Sequence, residues 1–370
     1  MVKISISGHS LPTGNYQPNW TILLEDLESL GHQIAFESDG DIFLALDHSP
    51  KGLKKFLKSS NKNAKKILIR QETDSVYPLQ YRKRITNRYD LVLTLGQVTN
   101  INSKNEFFGH CYKPYPNPLS CAGGMSFLEV FSSRTKQNVF EFENWVNRRY
   151  LVTFIGGNKV GLGKSRNYDF RSKKIKLLLK QGLVVYGEFW DHDIWNRLSN
   201  RIRTLVWGIR TNQVANTFGI FKGIFYRYPG AMGTVEDKSD VLLQSKFTLI
   251  IENSNNFVTE KIFDAMLAGS IPIYYGPRLI LPGISEELVI RFESIGPEIS
   301  AELSKITNEE IIDRLRMISN YLSSEEFREN WLAEKIFERV ADRINTLTLT
   351  NPTDDCGGTK LGAVSPSPQT

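Results

Sequence analysis

Short apolar runs alternate with amphipathic stretches through residues 1–100: VKISIS, WTILLEDLESLGH, DIFLAL, GLKKFLKSS, KKILIRQ and YDLVLTLG. Strand, helix, strand, helix in that order predicts a parallel α/β layer. Residues 101–125 lose the pattern, and Pro114, Pro116, Pro118, Gly123 and Gly124 mark a loop. A mainly polar amphipathic stretch then leads to RRY at 148–150, where a domain boundary is expected. The alternation restarts with YLVTFIGG, RSKKIKLLLKQG, LVVYG, KFTLIIEN, TEKIFDAMLAG and SIPIYYG. The second half thus repeats the architecture of the first without a visible sequence repeat. Phe327, Trp331, Ile336, Val340 and Ile344 recur every four or five residues, which predicts a helix bracing the two halves. The expected division is 1–148, 149–348 with closing helices, and a tail of linker composition at 349–370.

Composition narrows the class. The chain has 370 residues, 41% of them hydrophobic and 23% charged, enough for two cores and too apolar for wholesale disorder. Cys111, Cys121 and Cys356 are an odd number at unrelated spacings, which argues against structural disulfides and zinc fingers. MVKISISGHS alternates like a strand and lacks the apolar core of a signal peptide, and no later run reaches about 18 apolar residues, so a soluble chain is expected. A net charge of +6 favours anionic partners. Seven lysines between Lys51 and Lys66, with no acid among them, make a basic face suited to solubility or to peripheral contact with an anionic membrane.

The chemistry concentrates at residues 245–277, SKFTLIIENSNNFVTEKIFDAMLAGSIPIYYGP. A buried strand runs into the polar cluster Glu252, Asn253, Ser254, Asn255 and Asn256, and a helix is expected from Thr259, with Thr259 as its cap. Lys261 in the first turn opposes the helix dipole unless an anion meets both, and a diphosphate is a natural candidate. Glu260 beside it can accept hydrogen bonds from sugar hydroxyls.

Those residues carry a family resemblance. ENS at 252–254, FVTEK at 257–261 and SIPIYYG at 270–276 resemble, in order and spacing, the signature of the α-1,3/4-fucosyltransferases, glycosyltransferase family 10. Phe257 stands where the family has Tyr, and the loop between Asn253 and Val258 is shorter; both departures lie where the donor sugar is expected. Further matches are Arg166 before a helix, VVYG at 184–187, and Glu72 followed by SVYP. The resemblance implies a GT-B fold: two Rossmann-like domains facing across a cleft, the first binding acceptor and the second nucleotide sugar. It implies inverting transfer of fucose from GDP-fucose to a glycan or lipid-linked oligosaccharide, without an obligatory metal and with no nucleic acid partner. Glu72 is the implied general base. Arg166, Lys164, Tyr186, Glu252, Asn253, Phe257, Val258, Thr259, Glu260 and Lys261 are the implied donor site. Without the family's Golgi anchor, a bacterial-type cytoplasmic enzyme near the inner membrane is expected.

Three alternatives stay open. The same fold can serve another nucleotide-sugar donor. Gly163, Lys164 and Ser165 suggest a phosphate loop of an NTPase or kinase, but Gly157 lies one residue too far upstream for the motif. A basic, noncatalytic nucleic-acid or glycan-binding protein would fit the charge but lacks aromatic and glycine motifs of the RNA-binding kind. Asp191, His192 and Asp193 form an isolated acidic pair around a histidine, with no carboxylate cluster to hold a metal. The five histidines show no metal-ligand spacing.

Overall fold

The computed structural model describes residues 1–8, 18–36, 39–59, 63–96, 105–108, 127–159, 167–190, 194–210, 221, 225, 228–279, 284–292, 296 and 298–349. The strands are β1 (Lys3–Gly8), β2 (Gln33–Phe36), β3 (Ile42–Leu46), β4 (Lys65–Arg70), β5 (Leu91–Leu95), β6 (Asn105–Phe108), β7 (Tyr150–Ile155), β8 (Val184–Tyr186), β9 (Ser245–Ile251) and β10 (Ile271–Tyr275). The helices are α1 (Pro18–Ser29), α2 (Pro50–Ser59), α3 (Lys83–Thr86), α4 (Phe127–Lys136), α5 (Phe142–Val146), α6 (Tyr168–Leu179) and α7 (Ile194–Arg210). After these come α8 (Lys238–Leu243), α9 (Lys261–Leu267), α10 (Ile299–Leu303), α11 (Asn308–Ser323), α12 (Glu325–Trp331) and α13 (Ala333–Leu349).

Two wholly parallel sheets result, one ordered β2-β1-β3-β4-β5-β6 and the other β10-β9-β7-β8. IFLAL of β3 and LVLTL of β5 are buried at every position. Such runs, broken only by Thr94, suit strands covered by helices on both faces. The chain reverses its direction of growth between β1 and β3 in the first sheet and between β7 and β9 in the second. Ligands of open α/β sheets bind beyond the carboxyl ends of the strands at such switch points.

The cores divide the chain differently from the expected boundaries. Phe127, Val130 and Trp145, expected in the first domain, belong to the core of the second sheet, where Trp145 meets Phe247 edge-on at 5.3 Å. Ala333, Ile336, Phe337, Val340 and Ile344 join Trp20, Leu23 and Leu27 of α1 on one face of the first sheet. The periodic stretch from Phe327 to Ile344 is two helices, not one. Leu332 is extended (φ −70, ψ 136), and the single spacing of five, from Trp331 to Ile336, falls on that break. α12 thus ends against Phe263 of the second unit, while α13 crosses back to the first.

Candidate active site

At the carboxyl edge of the first sheet, two carboxylates stand just past adjacent parallel strands, Asp47 after β3 and Glu72 after β4. Asp47 adopts a left-handed backbone (φ 55), which Asp tolerates better than most residues, and is completely buried. Its Oδ1 accepts hydrogen bonds from the amides of Gln71 at 3.0 Å and Glu72 at 3.2 Å and from Gln80 Nε2 at 2.9 Å. The Glu72 carbonyl in turn accepts from Gln80 Nε2 and the Tyr81 hydroxyl, both at 2.9 Å. The Glu72 backbone is therefore held on both sides while its side chain stays half-buried at the cleft. Behind it, buried Arg70 donates to the Gln80 carbonyl at 2.9 Å and Thr86 Oγ1 at 2.6 Å, and lies 4.6 Å over the Tyr81 ring. His48 is fully buried, with Nδ1 2.7 Å from the Tyr89 hydroxyl. Burial, helped by the positive charges of Arg88 and Arg70, pushes its pKa down to about 4.

At the carboxyl edge of the second sheet, Arg171 of α6 spans the switch point. Its Nη1 donates to Asn253 Oδ1, past β9, at 3.1 Å, and its Nη2 donates to the Gly157 carbonyl, past β7, at 2.8 Å. Tyr168 lies under the guanidinium at 4.5 Å. Asn167 ties the start of α6 to the same loop, its amide donating to the Asn253 carbonyl at 3.1 Å and its Nδ2 to Asn255 Oδ1 at 2.6 Å. Gly187 makes this packing feasible: at φ 137, an added Cβ would come within 2.5 Å of the Gly156 carbonyl.

Several expected site residues take other positions. Glu252 is completely buried and accepts from the Thr259 amide at 2.8 Å, the Thr259 hydroxyl at 2.7 Å and the Tyr274 hydroxyl at 3.3 Å, with Lys261 Nζ at 3.5 Å. It supports the loop from beneath rather than facing the cleft, because a buried carboxylate needs all those donors. Thr259 does not cap α9; Glu260 occupies the cap position and its side chain makes no capping hydrogen bond, and the Thr259 hydroxyl serves Glu252. α9 is only seven residues long, which leaves little dipole for an anion. Tyr186 lies beside Ile155 at the end of β7, yet its hydroxyl reaches 3.4 Å from that of Tyr150, which opens the strand, so it points away from the carboxyl edge. Phe257 and Val258 are buried in the seam between the units. Asn253, Glu260 and Lys261 are half-buried at the cleft. Lys164, Arg166 and the Asp191–His192–Asp193 group lie outside the described residues, among which no cluster of three or more potential metal ligands occurs.

The two edges touch. Ser254 Oγ donates to Asp74 Oδ1 at 2.9 Å, the Val258 amide donates to the Gly96 carbonyl at 3.0 Å, and Phe257 meets Tyr81 edge-on at 6.3 Å. Burial raises the pKa of the Tyr168 phenol, and charges from both edges act on it, Arg171 and Lys261 lowering it and Glu72 raising it.

Sequence reasoning missed Asp47, Gln80, Tyr81 and Arg171. Asp47 carries the same signal as Glu72, a carboxylate directly after a buried strand. Arg171 had none, since one arginine within RSKK reads as a solvated helix charge until its burial is seen.

No family model matches the chain. A putative fucosyltransferase-like protein of Arabidopsis thaliana is 44% identical over 52 residues, which is 14% of this chain and 9% of that protein. The chain thus matches about a tenth of the length of this curated relative. Among solved structures, Anabaena HepE in complex with UDP and glucose aligns over 94% of this chain and all of its own, with a TM-score of 0.51 and 8% identity. A glycosyltransferase from Rickettsia africae aligns over 94% and 98%, with a TM-score of 0.50 and 10% identity. An α1,3-fucosyltransferase aligns over 92% and 89%, with a TM-score of 0.47 and 15% identity. With its two parallel sheets meeting at their carboxyl edges, the chain has the GT-B architecture.

Proposed function

We propose that this protein is an inverting glycosyltransferase that moves fucose from GDP-fucose to a hydroxyl of a glycan or lipid-linked oligosaccharide. The reading rests on Glu72, a carboxylate whose backbone is immobilised just past β4, and on Lys261, which acts with opposite sign on the same Tyr168 phenol at the edge that carries Asn253. Such an arrangement fits displacement at a sugar carbon. The acceptor hydroxyl gives its proton to the Glu72 carboxylate, and its oxygen bonds to the anomeric carbon from the face opposite the diphosphate. The carbon–oxygen bond to the diphosphate breaks, and the electron pair leaves on the β-phosphate oxygen. Lys261, joined in the family resemblance by Arg166 and Lys164, would neutralise that charge, work that a metal ion does in other transferases. Glu252 and Arg171 act as positioning residues, the first for Thr259 and Lys261, the second for Asn253.

Phe257 favours a second reading, the same reaction with another GDP-sugar. Its ring is buried against Tyr81 and offers no hydroxyl to a sugar.

The test is thermal stabilisation by GDP, GDP-fucose, GDP-mannose, UDP and ATP, each with EDTA and with Mg²⁺, since a ligand bound only by the folded state raises the melting temperature. Stabilisation by GDP and GDP-fucose in EDTA is expected. A stronger response to GDP-mannose would move the donor assignment, and a response to ATP alone, dependent on Mg²⁺, would overturn the transferase reading.

A further inference from the structure

Helix α7 is amphipathic in the wrong sense for the surface of a protein in water. At about 100° per residue, Arg197, Arg201 and Gly208 fall on one face with Asn200 and Thr204 at its margin. That polar face is the one turned inward: Arg197, Arg201 and Gly208 are buried and Asn200 and Thr204 half-buried. The inward arginines lie within the electrostatic reach of the Tyr228 phenol, and Asp169 of α6 adds to the attraction on Arg201. The outward arc carries Trp195, Ile202, Val206 and Ile209, whose side chains are 77%, 46%, 40% and 54% exposed. A helix at a water-facing surface turns its apolar stripe to the core, because exposing such a stripe forfeits the burial that stabilises it. Here the apolar stripe is exposed over about 21 Å of helix.

Charge selects what covers it. The exposed Arg203 flanks the apolar arc. Of the α7 arginines, Arg197 and Arg201 face inward, and from 194 to 235 the sequence holds Arg210, Lys222 and Arg227 as further cations and no acid. A second copy of this chain would bring the same sign against itself, on a protein whose net charge is already +6. An anionic lipid surface satisfies both features: acyl chains accept the Ile, Val and Trp side chains, and headgroup phosphates accept the arginine that lies beside them. Trp195, at one end of the arc, is the residue type that settles at the headgroup level.

We propose that the outward face of α7 docks on an anionic membrane surface and lies in its plane. None of Trp195, Ile202, Val206 and Ile209 is among the residues placed at the two carboxyl edges, so this holds whichever sugar the site takes.

The experiment is flotation of the full chain with vesicles of phosphatidylcholine and with vesicles of phosphatidylcholine mixed with phosphatidylglycerol. It compares the unmodified protein with the double variant Ile202→Asp/Val206→Asp and with Arg203→Glu. All three positions are exposed, so unchanged melting temperatures and GDP responses are expected and separate loss of docking from loss of fold. The unmodified chain is expected to float with the anionic vesicles, less with the neutral ones, and less as salt is raised. The double variant should bind them roughly tenfold or more weakly, because two charged side chains replace the centre of the apolar arc. Arg203→Glu should lose the preference for anionic lipid while keeping the residual binding to neutral vesicles. Absence of flotation, or equal flotation of the double variant, would overturn the proposal. A concentration-dependent dimer of the unmodified chain that the double variant abolishes would overturn it too, and assign the face to a second copy.

Discussion

The two carboxyl edges are built on the same parallel-strand plan and solve opposite electrostatic problems. The first edge surrounds a carboxylate backbone with neutral donors and a second carboxylate: Asp47 holds the Gln71 and Glu72 amides, and Gln80 and Tyr81 hold the Glu72 carbonyl. The second edge buries a guanidinium, Arg171, whose donors fix the carbonyl of Gly157 and the side chain of Asn253, and it uses a buried Glu252 to steady Thr259 and Lys261. One edge therefore presents a carboxylate on a fixed backbone, and the other presents cations and amides. A shared fold sets where ligands lie, and the buried groups behind each edge decide what charge the edge tolerates.

The contrast breaks most sharply at Glu72. Glu72→Gln keeps the shape but removes the proposed proton acceptor, and turnover should fall about 10²- to 10⁴-fold with GDP affinity unchanged, as measured by transfer assays beside GDP titration. Near-normal turnover would remove the difference in role between the edges.

Next in size is a pH effect confined to the first unit. Unfolded His48 gains a proton below its ordinary 6.5, whereas the folded ring resists protonation until about pH 4. Its contribution is therefore complete above pH 6.5 and drains as pH falls through that window, by about 3 kcal/mol in all. Denaturant unfolding between pH 7 and pH 4 should show this slope, and His48→Gln should flatten it.

Arg171→Ala should act on the second edge alone. It leaves the Gly157 carbonyl and Asn253 Oδ1 without their donor, and should cost about 2 kcal/mol of stability together with a loss of GDP response in thermal melts. A variant that melts lower but binds GDP as before would make Arg171 purely structural.

The smallest expected effect sharpens the role of Asp47. Asp47→Ala should lower kcat about tenfold while KM changes little, since it frees the Glu72 backbone without touching either substrate. Asp47→Asn retains an oxygen that can accept the same amides and a residue type that tolerates the left-handed backbone, so it should recover most of the rate. Failure of Asn to rescue would show that the charge of Asp47, and not its acceptor geometry, matters.

Much of this was legible in the chain. Continuous apolar runs such as IFLAL and FTLII announced buried parallel strands, and Glu72 and the ENS segment at 252–254 stood just past two of them. Roles within the site were less legible, because residue type does not reveal burial. Glu252 and Thr259 read as ligand contacts and are internal supports. Tyr186 sits in the expected strand, but its side chain leans back along the sheet to Tyr150. In α7 the hydrophobic period was present, but its orientation was not, since a helical period is the same whether its stripe faces in or out.

By itself the sequence determined the elements, their order, the restart of the α/β pattern near residue 150 and the polar clusters that follow the strand ends, because these follow from local periodicity and turn chemistry. Tertiary structure alone decided that α4 and α5 join the second core, that α13 returns to the first, that Arg171 links the ends of β7 and β9, and that Ser254 reaches Asp74 across the cleft. Each of those depends on contacts between residues far apart in the chain, where packing and the desolvation of buried charge, not local preference, set the free energy.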